Sequence, residues 1–243
     1  MPTAVIVPQT ALLVPGVAGR SEVLTAVRTA ALAASRELVA ERPARVVLLA
    51  PAAEDRAAPA DELCTSLVGL GVPEHAVGWP APCRLAGCPA HESWPPHGAR
   101  AGVAAAVGLR LLAAAGVTSP VSVVELAPGE PSTEASELAG RADALLVLGS
   151  LSARHGERAP RAADPRAPEV DARLAADLAA ASPEAIDRLA SFDPGLAEQL
   201  DVGGAATFAL LARVAGRPTI SELLARDDSL GVAHLVARWR WAA

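Results

Sequence analysis

The sequence is poor in large aromatic side chains and in methionine. Its 243 residues include two Phe, four Trp, one Met and no Tyr, although 51% of them are apolar. The apolar content therefore consists mainly of Ala, Leu and Val, and we expect helices that pack closely through small side chains. A chain of this length is sufficient for one large α/β domain that buries roughly 70% of its unfolded surface.

Positive charge is not in excess either. The chain has 21 Lys and Arg residues against 27 Asp and Glu residues, which gives a formal net charge of −6. Nucleic acids and anionic membrane surfaces attract proteins through basic patches. The charge balance therefore gives no reason to expect a nucleic acid or a membrane as a partner.

Long uninterrupted apolar runs are also missing. The apolar stretch 102–117 contains Arg110 and is shorter than the ~20 residues that a membrane-spanning helix needs. The apolar opening, 1–19, has no basic segment and is interrupted by Pro8 and Pro15, which argues against a signal peptide. Three cysteines, an odd number, do not make a disulfide framework. We therefore predict a cytoplasmic protein.

Short apolar runs alternate with helical patterns along the chain. Strands are predicted at 4–7, 45–50, 75–79, 121–126, 143–149 and 230–239, and helices at about 21–38, 99–116, 170–178 and 183–190. Ser21 is predicted as the N-cap of the first helix. His75 and His234 fall in predicted strands and are interpreted as structural histidines. The alternation predicts a single α/β domain over 1–243, with a mainly parallel central sheet and helices on both faces.

The region 52–98 has a different composition from the rest of the chain. It is rich in Pro and Gly, and it contains all three cysteines and three of the five histidines. We expect long loops here, because the hydrophobic pattern has no clear period. Four potential metal ligands are clustered in this region, namely Cys83, Cys88, His91 and His97. Their spacing differs from that of the usual zinc modules, so a metal site and a set of ordinary loop side chains both remain open.

In open α/β sheets, ligands bind beyond the carboxyl ends of the strands. Four loops follow predicted strands there, at 8–16, 51–57, 127–132 and 149–160. The polar side chains that these loops supply are Gln9, Glu54, Asp55, Glu130, Ser150, Ser152 and His155. The predicted catalytic residues are His155 and Ser152, and the predicted ligand-binding residues are Gln9, Glu54, Asp55 and Ser150. The alternative for His155 is a surface histidine in a loop.

Two well-known catalytic motifs are not matched. Gly16 and Gly19 are separated by two residues rather than by the four of a phosphate-binding loop, and Arg20 stands in place of its lysine. That segment is therefore either a plain turn or an anion site at a helix N-terminus. Ser150 and Ser152 do not form a Gly-x-Ser-x-Gly elbow, so a serine hydrolase would need its base from elsewhere in the fold.

The segment 145–190 combines a strand that ends in Gly-Ser-Leu-Ser with Asp164-Pro165 and, farther along, Asp171. This layout resembles the class III extradiol ring-cleavage dioxygenase superfamily, whose subunit-B-like members include the MEMO proteins. The opening 5–19 and the end 230–239 are similar to the first and last strands of that superfamily. The whole chain looks like an alanine-rich actinobacterial branch of it. The resemblance implies a homo-oligomer or association with a second subunit.

The resemblance also implies a metal chemistry. Active members bind Fe(II) through two histidines and one glutamate and use a further histidine as acid and base. By position, the first iron histidine corresponds to Gln9, and the second falls in a segment that offers Glu54 and Asp55. The acid/base histidine corresponds to Ala153, and His155 lies two residues later. The chain therefore resembles a relative that lacks the usual iron site.

Three functions are consistent with these observations. The first is a divergent relative without iron that binds a small molecule or a partner in the cleft at the strand carboxyl ends. The second is an active enzyme on an aromatic or small polar substrate, with Fe, Zn or Cu bound by relocated ligands from the loop of Cys88, His91 and His97. The third is an unrelated hydrolase or nucleotide-binding α/β domain.

Overall fold

The computed structural model describes residues 3–80 and 99–242. The helices in these ranges are α1 (Thr25–Ala40), α2 (Val103–Ala115), α3 (Thr133–Gly140), α4 (Ala167–Ala180), α5 (Pro183–Ala190), α6 (Pro194–Leu200) and α7 (Ala205–Ala215). The strands are β1 (Thr3–Val7), β2 (Val46–Pro51), β3 (Arg56–Pro59), β4 (Leu63–Cys64), β5 (Ala99–Arg100), β6 (Val121–Leu126), β7 (Ala144–Leu148), β8 (Ile220–Asp227) and β9 (His234–Arg240). Short 3-10 helices lie at Ala11–Leu13, Ala60–Glu62, Val68–Leu70 and Glu74–Ala76.

A seven-stranded sheet forms the centre of the fold, in the order β3-β6-β2-β7-β1-β9-β8. Its four central strands, β6, β2, β7 and β1, are parallel to one another. The strands β3, β9 and β8 pair antiparallel at the two sides. The predicted fold class, an α/β protein with a mainly parallel central sheet and helices on both faces, is confirmed. Strands β4 and β5 form a small separate parallel pair.

The central strands are buried because helices cover both faces of the sheet. Helices α1 and α2 pack with one set of strand side chains, and α3 to α7 pack with the alternate set. Strands with both faces covered have no solvent-exposed face, which explains the uniformly apolar runs in β1, β2 and β7. In the described ranges, no helix is both long enough and apolar enough to cross a membrane.

Small residues set the distance between α2 and the sheet, as the composition predicts. A Cβ atom added at Gly108 would lie 2.6 Å from the Cδ1 atoms of both Leu48 and Leu148. The helix therefore approaches β2 and β7 through a position that has no side chain. This close packing compensates for the scarcity of aromatic rings.

The region around Glu74 to Trp79 differs from the prediction. The strand expected at 75–79 is wrong, since Glu74–Ala76 is a 3-10 helix and His75 is exposed. The reason is that hydrogen bonds from the side chain of Arg110 hold this segment, in place of the backbone hydrogen bonds of a strand. Arg110 of α2 is 1% exposed and donates hydrogen bonds to the backbone carbonyls of Thr65 and Trp79 and to the carboxylate of Glu74.

The start of the first helix also differs from the prediction. Helix α1 begins at Thr25, and its N-cap is Leu24 in the left-handed region at φ 52°. Ser21 is therefore not the cap. Arg28, in the first turn of the helix, donates to the backbone carbonyls of Leu12, Leu13 and Val23, and these bonds hold the preceding loop.

Candidate functional site

A cavity of about 580 Å³ opens at the carboxyl ends of β1, β2 and β6. It lies on the face of the sheet covered by α5, α6 and α7, and its lining starts from Gln9, Ala52 and Pro128, which come just after these strands. Ala197, Val202, Ala205 and Phe192 are among the apolar residues of the opposite wall. This position agrees with the rule that open α/β sheets bind ligands beyond their strand ends.

Gln9 supplies an unusual polar group to this cavity. Its Oε1 atom is buried and has no hydrogen-bond partner among the described residues. The side chain lies against Gly203, where an added Cβ atom would be 2.3 Å from Nε2 of Gln9. A buried acceptor without a donor is costly, and such groups in native proteins usually find a partner. The wall of the cavity therefore contains an acceptor without a donor, and a rotation of the carboxamide would present it to a ligand.

An ion pair between Glu130 and Arg213 lines the same cavity. Glu130 belongs to the loop after β6, and Arg213 belongs to α7. The guanidinium donates to both carboxylate oxygens, with 3.0 Å between Nη2 and Oε1. The hydrogen bonds and charge of Arg213 lower the pKa of Glu130 below its ordinary value. The pair therefore stays charged at neutral pH.

The wall formed by residues 201–204 is tied to the end of β7. The amide of Gly204 donates to the carbonyl of Ser150 at 2.8 Å, and Ser152 forms an antiparallel bridge with Val202. A Cβ atom added at Gly149 would lie 2.6 Å from the Cα of Gly204. Backbone lies directly on backbone here, so this wall is fixed relative to the sheet.

Ser152, a predicted catalytic residue, anchors that wall and is not among the described residues that line the cavity. It is 0% exposed. Its hydroxyl donates to the carbonyl of Leu200 at 2.6 Å and accepts from the amide of Arg154 at 3.0 Å. These bonds hold the loop after β7 against the end of α6, which is a structural use of the hydroxyl.

His155, the other predicted catalytic residue, is paired with a buried carboxylate. Its Nδ1 atom lies 2.7 Å from Oδ2 of Asp171 in α4, and its side chain is 19% exposed. Asp171 is 0% exposed, and its Oδ1 accepts the amide of Ser152 at 2.8 Å. Burial raises the pKa of Asp171, and the hydrogen bonds from Ser152 and His155 oppose that rise. His155 is thus an oriented histidine rather than a free surface side chain, although it is not among the described residues that line the cavity.

Ser150 meets a histidine that is distant in sequence. Its Oγ lies 3.4 Å from Nδ1 of His234, at the start of β9. Both side chains are buried, with exposed fractions of 7% for Ser150 and 4% for His234. Burial lowers the pKa of His234 to about 4, and the charge of Asp227 opposes this only in part. The fold therefore brings a base to Ser150, but a weak one and in a place that the described cavity lining does not include.

We expect His234 to make the stability of the protein depend on pH. The pKa of His234 is about 4 in the folded protein and 6.5 in an ordinary environment, so the unfolded chain binds the proton more tightly. The stability contributed by the neutral ring is complete above pH 6.5 and is lost as the pH falls, by roughly 3 kcal/mol at pH 4. Guanidinium unfolding at pH 7 and at pH 4 should show this extra loss in the native protein and not in His234→Gln. Equal losses in both proteins would contradict it, and His75→Gln, an exposed control, should behave like the native protein.

The other predicted site residues lie elsewhere. Glu54 and Asp55 are exposed, and Oδ1 of Asp55 accepts the amide of Ala127 at 2.7 Å, which joins the loops after β2 and β6. Neither residue is among the described lining of the cavity. Cys88, His91 and His97, and Cys83 with them, lie outside the described residues. Within residues 3–80 and 99–242, no three His, Cys, Asp or Glu side chains are close enough together to hold a metal ion.

Some of the lining residues were not predicted from the sequence. Arg213, Gly203 and Phe192 belong to the part of the chain after 190, where no element before the last strand was predicted. A sequence signal for Gly203 does exist, since Gly203-Gly204 directly precedes the apolar run of α7. Paired glycines before a helix indicate a close approach of backbone.

Comparisons with known proteins assign neither a family nor a function to this chain. No protein-family model and no curated protein matches the sequence. The crystal structure of an uncharacterized protein from Escherichia coli K12 is similar over 98% of this chain and 100% of its own, with 15% sequence identity and a TM-score of 0.47.

Proposed function

We propose that this protein is a divergent relative of the class III extradiol dioxygenases that binds a small molecule in the cavity at the strand carboxyl ends, in the cytoplasm. The observation that carries the proposal is the buried, unpaired Oε1 of Gln9 in that cavity. Gln9 stands where the resemblance places the first iron histidine. A carboxamide there is suited to accept a hydrogen bond rather than to bind Fe(II).

The size and lining of the cavity support a small organic ligand. Its volume of about 580 Å³ falls in the usual range for small-molecule sites. Such sites combine mainly apolar walls with a few polar groups that fix the orientation of the ligand. Apolar side chains such as Phe192 and Val202 provide the walls, and Gln9 provides the orienting acceptor. A ligand with an O–H or N–H donor would satisfy Oε1.

A cavity-filling substitution tests this function. Ala209 of α7 lines the cavity, so an indole in its place should occupy the ligand volume. We expect Ala209→Trp to weaken the binding of neutral alcohol and amide fragments at least tenfold, measured by ligand-observed NMR. Gln9→Leu should weaken the same fragments about three- to tenfold, as expected for one neutral hydrogen bond.

The matched control for this experiment is Ala33→Trp. Ala33 is an exposed alanine of α1, so its replacement leaves the cavity intact. Thermal unfolding of all variants shows whether the fold is retained. Unchanged fragment binding in a folded Ala209→Trp protein would exclude the cavity as the site.

The relocated metal site is the second candidate, and one observation favours it. Metal-binding histidines commonly donate their other ring N–H to a carboxylate, and His155 is oriented by Asp171 in this way. A metal at Nε2 of His155 would take further ligands from Cys88, His91 and His97. Elemental analysis of protein expressed with Fe, Zn or Cu tests this candidate. It is supported by about one metal ion per chain that is lost in His155→Ala and in His91→Ala. Protein that contains no metal excludes it.

A further inference from the structure

Arg213 is positioned in the cavity independently of its acidic partner. Its Nε and Nη2 atoms donate to the carbonyl of Ala190, at the end of α5, at 3.2 and 3.0 Å. Among the described lining residues, it is the only one with a positive charge. The guanidinium therefore stays at the cavity wall when the Glu130 carboxylate is elsewhere.

The fork of this guanidinium already holds a carboxylate. Glu130 engages both terminal nitrogens of Arg213 with both of its oxygens, the bidentate geometry that arginine offers to carboxylates. The contact shows that a carboxylate fits at this point of the cavity. Glu130 thus occupies a position that a carboxylate of a ligand could take.

Glu130 is held weakly enough to be replaced. Its side chain is 77% exposed, and exposed ion pairs contribute little to stability. The preceding residue, Gly129, has φ 118°, a conformation that favours glycine. A ligand that reaches the same guanidinium from within the cavity needs only to displace an exposed side chain on this loop.

The remaining charges along the cavity do not oppose such a ligand at this end. Asp201 is paired with Arg161, at 3.1 Å between Oδ2 and Nε. Glu198 is exposed to solvent, where its charge is screened. With Glu130 displaced, Arg213 dominates the local field at its end of the cavity.

We infer that Arg213 is the carboxylate-recognising residue of this cavity and that Glu130 is an internal competitor for it. The ligand class is then a small organic acid whose carboxylate displaces Glu130 and whose O–H or N–H donor pairs with Gln9. This inference rests on the proposed function. It adds the charge of the ligand and the residue that selects for it.

Matched acid and amide probes test the inference. The probes are 4-(hydroxymethyl)benzoate and 6-hydroxyhexanoate, each compared with its primary amide by NMR titration at pH 7. Native protein should prefer each acid over its amide. Glu130→Gln should bind the acids about three- to tenfold more tightly, and Arg213→Gln should lose the preference, while amide binding changes less than twofold in both variants.

Control variants separate this effect from a change in net charge. Glu137→Gln and Arg141→Gln alter an exposed ion pair at the C-terminal end of α3 that does not line the described cavity, and both should behave like native protein. If the amides bind but acids and amides respond alike in every variant, the inference on Arg213 is wrong and the proposed function stands. If neither acids nor amides bind, the proposed function fails and the inference fails with it.

Discussion

Replacement of Arg110 by Leu is expected to lower the free energy of unfolding by about 4 kcal/mol. The guanidinium is buried and supplies hydrogen bonds to the carbonyls of Thr65 and Trp79. Leucine leaves both carbonyls, which belong to buried residues, without these donors. Urea unfolding measures the loss. Hydrogen exchange should show it first in residues 63–80, because Arg110 connects this segment to α2.

Two further variants make the Arg110 experiment specific. Arg110→Lys keeps the charge but not the planar fork, so we expect an intermediate loss. Arg36→Leu replaces an exposed arginine of α1 and should change stability by less than about 0.5 kcal/mol. A loss in Arg110→Leu as small as that in Arg36→Leu would show that the 63–80 segment is held by other contacts.

A loss of similar size, about 4 kcal/mol, is expected for Asp171→Ala. The carboxylate is fully buried and accepts from the amide of Ser152 and from the ring of His155. Alanine leaves the Ser152 amide without its acceptor and frees the histidine ring. Because Ser152 also bonds to Leu200, the loop after β7 should loosen from the end of α6. Chemical denaturation measures the stability, and ring ¹⁵N shifts measure the tautomer of His155.

Asp171→Asn distinguishes the two roles of the carboxylate. The amide oxygen still accepts from Ser152, so the loss should fall to about 1–2 kcal/mol, but the Nδ1–H tautomer of His155 loses its acceptor. Asp187→Ala, an exposed aspartate of α5, is the neutral control. An unchanged His155 tautomer in Asp171→Ala would contradict the view that this carboxylate orients the ring.

The parallel core of the fold is predictable from the sequence for a physical reason. Strands that are covered on both faces must be apolar at every position, and such runs stop where the chain leaves the sheet. The predicted strand at 121–126 is observed as Val121–Leu126, and that at 143–149 as Ala144–Leu148. The edge strand β8 is not predictable in this way. All of its side chains are at least partly exposed, and its sequence, ISELLARD, has neither a long apolar run nor a strict alternation.

The candidate site was predictable only in part. Gln9 comes just after the end of β1, so the rule that ligands bind beyond the carboxyl ends of strands identifies it. Arg213 meets Glu130 across 83 positions of the chain, and no local pattern encodes that contact. The partners of His155 and Ser150 likewise come from other elements, α4 and β9. Residues that directly follow strands can be identified from the sequence. The residues that contact them from distant helices and strands cannot.

The contact of Gly149 with Gly204 makes the two sides of the cavity mechanically unequal. Residues 201–204 are clamped to the sheet by backbone contacts that no rotamer change can relax. On the other side, the loop of Gly129 and Glu130 is joined to α7 by an exposed ion pair. Adjustment to the size of a ligand is therefore expected from the 127–132 loop and not from residues 201–204. The rigid wall at residues 201–204 therefore limits the size of the ligands that the cavity can accept.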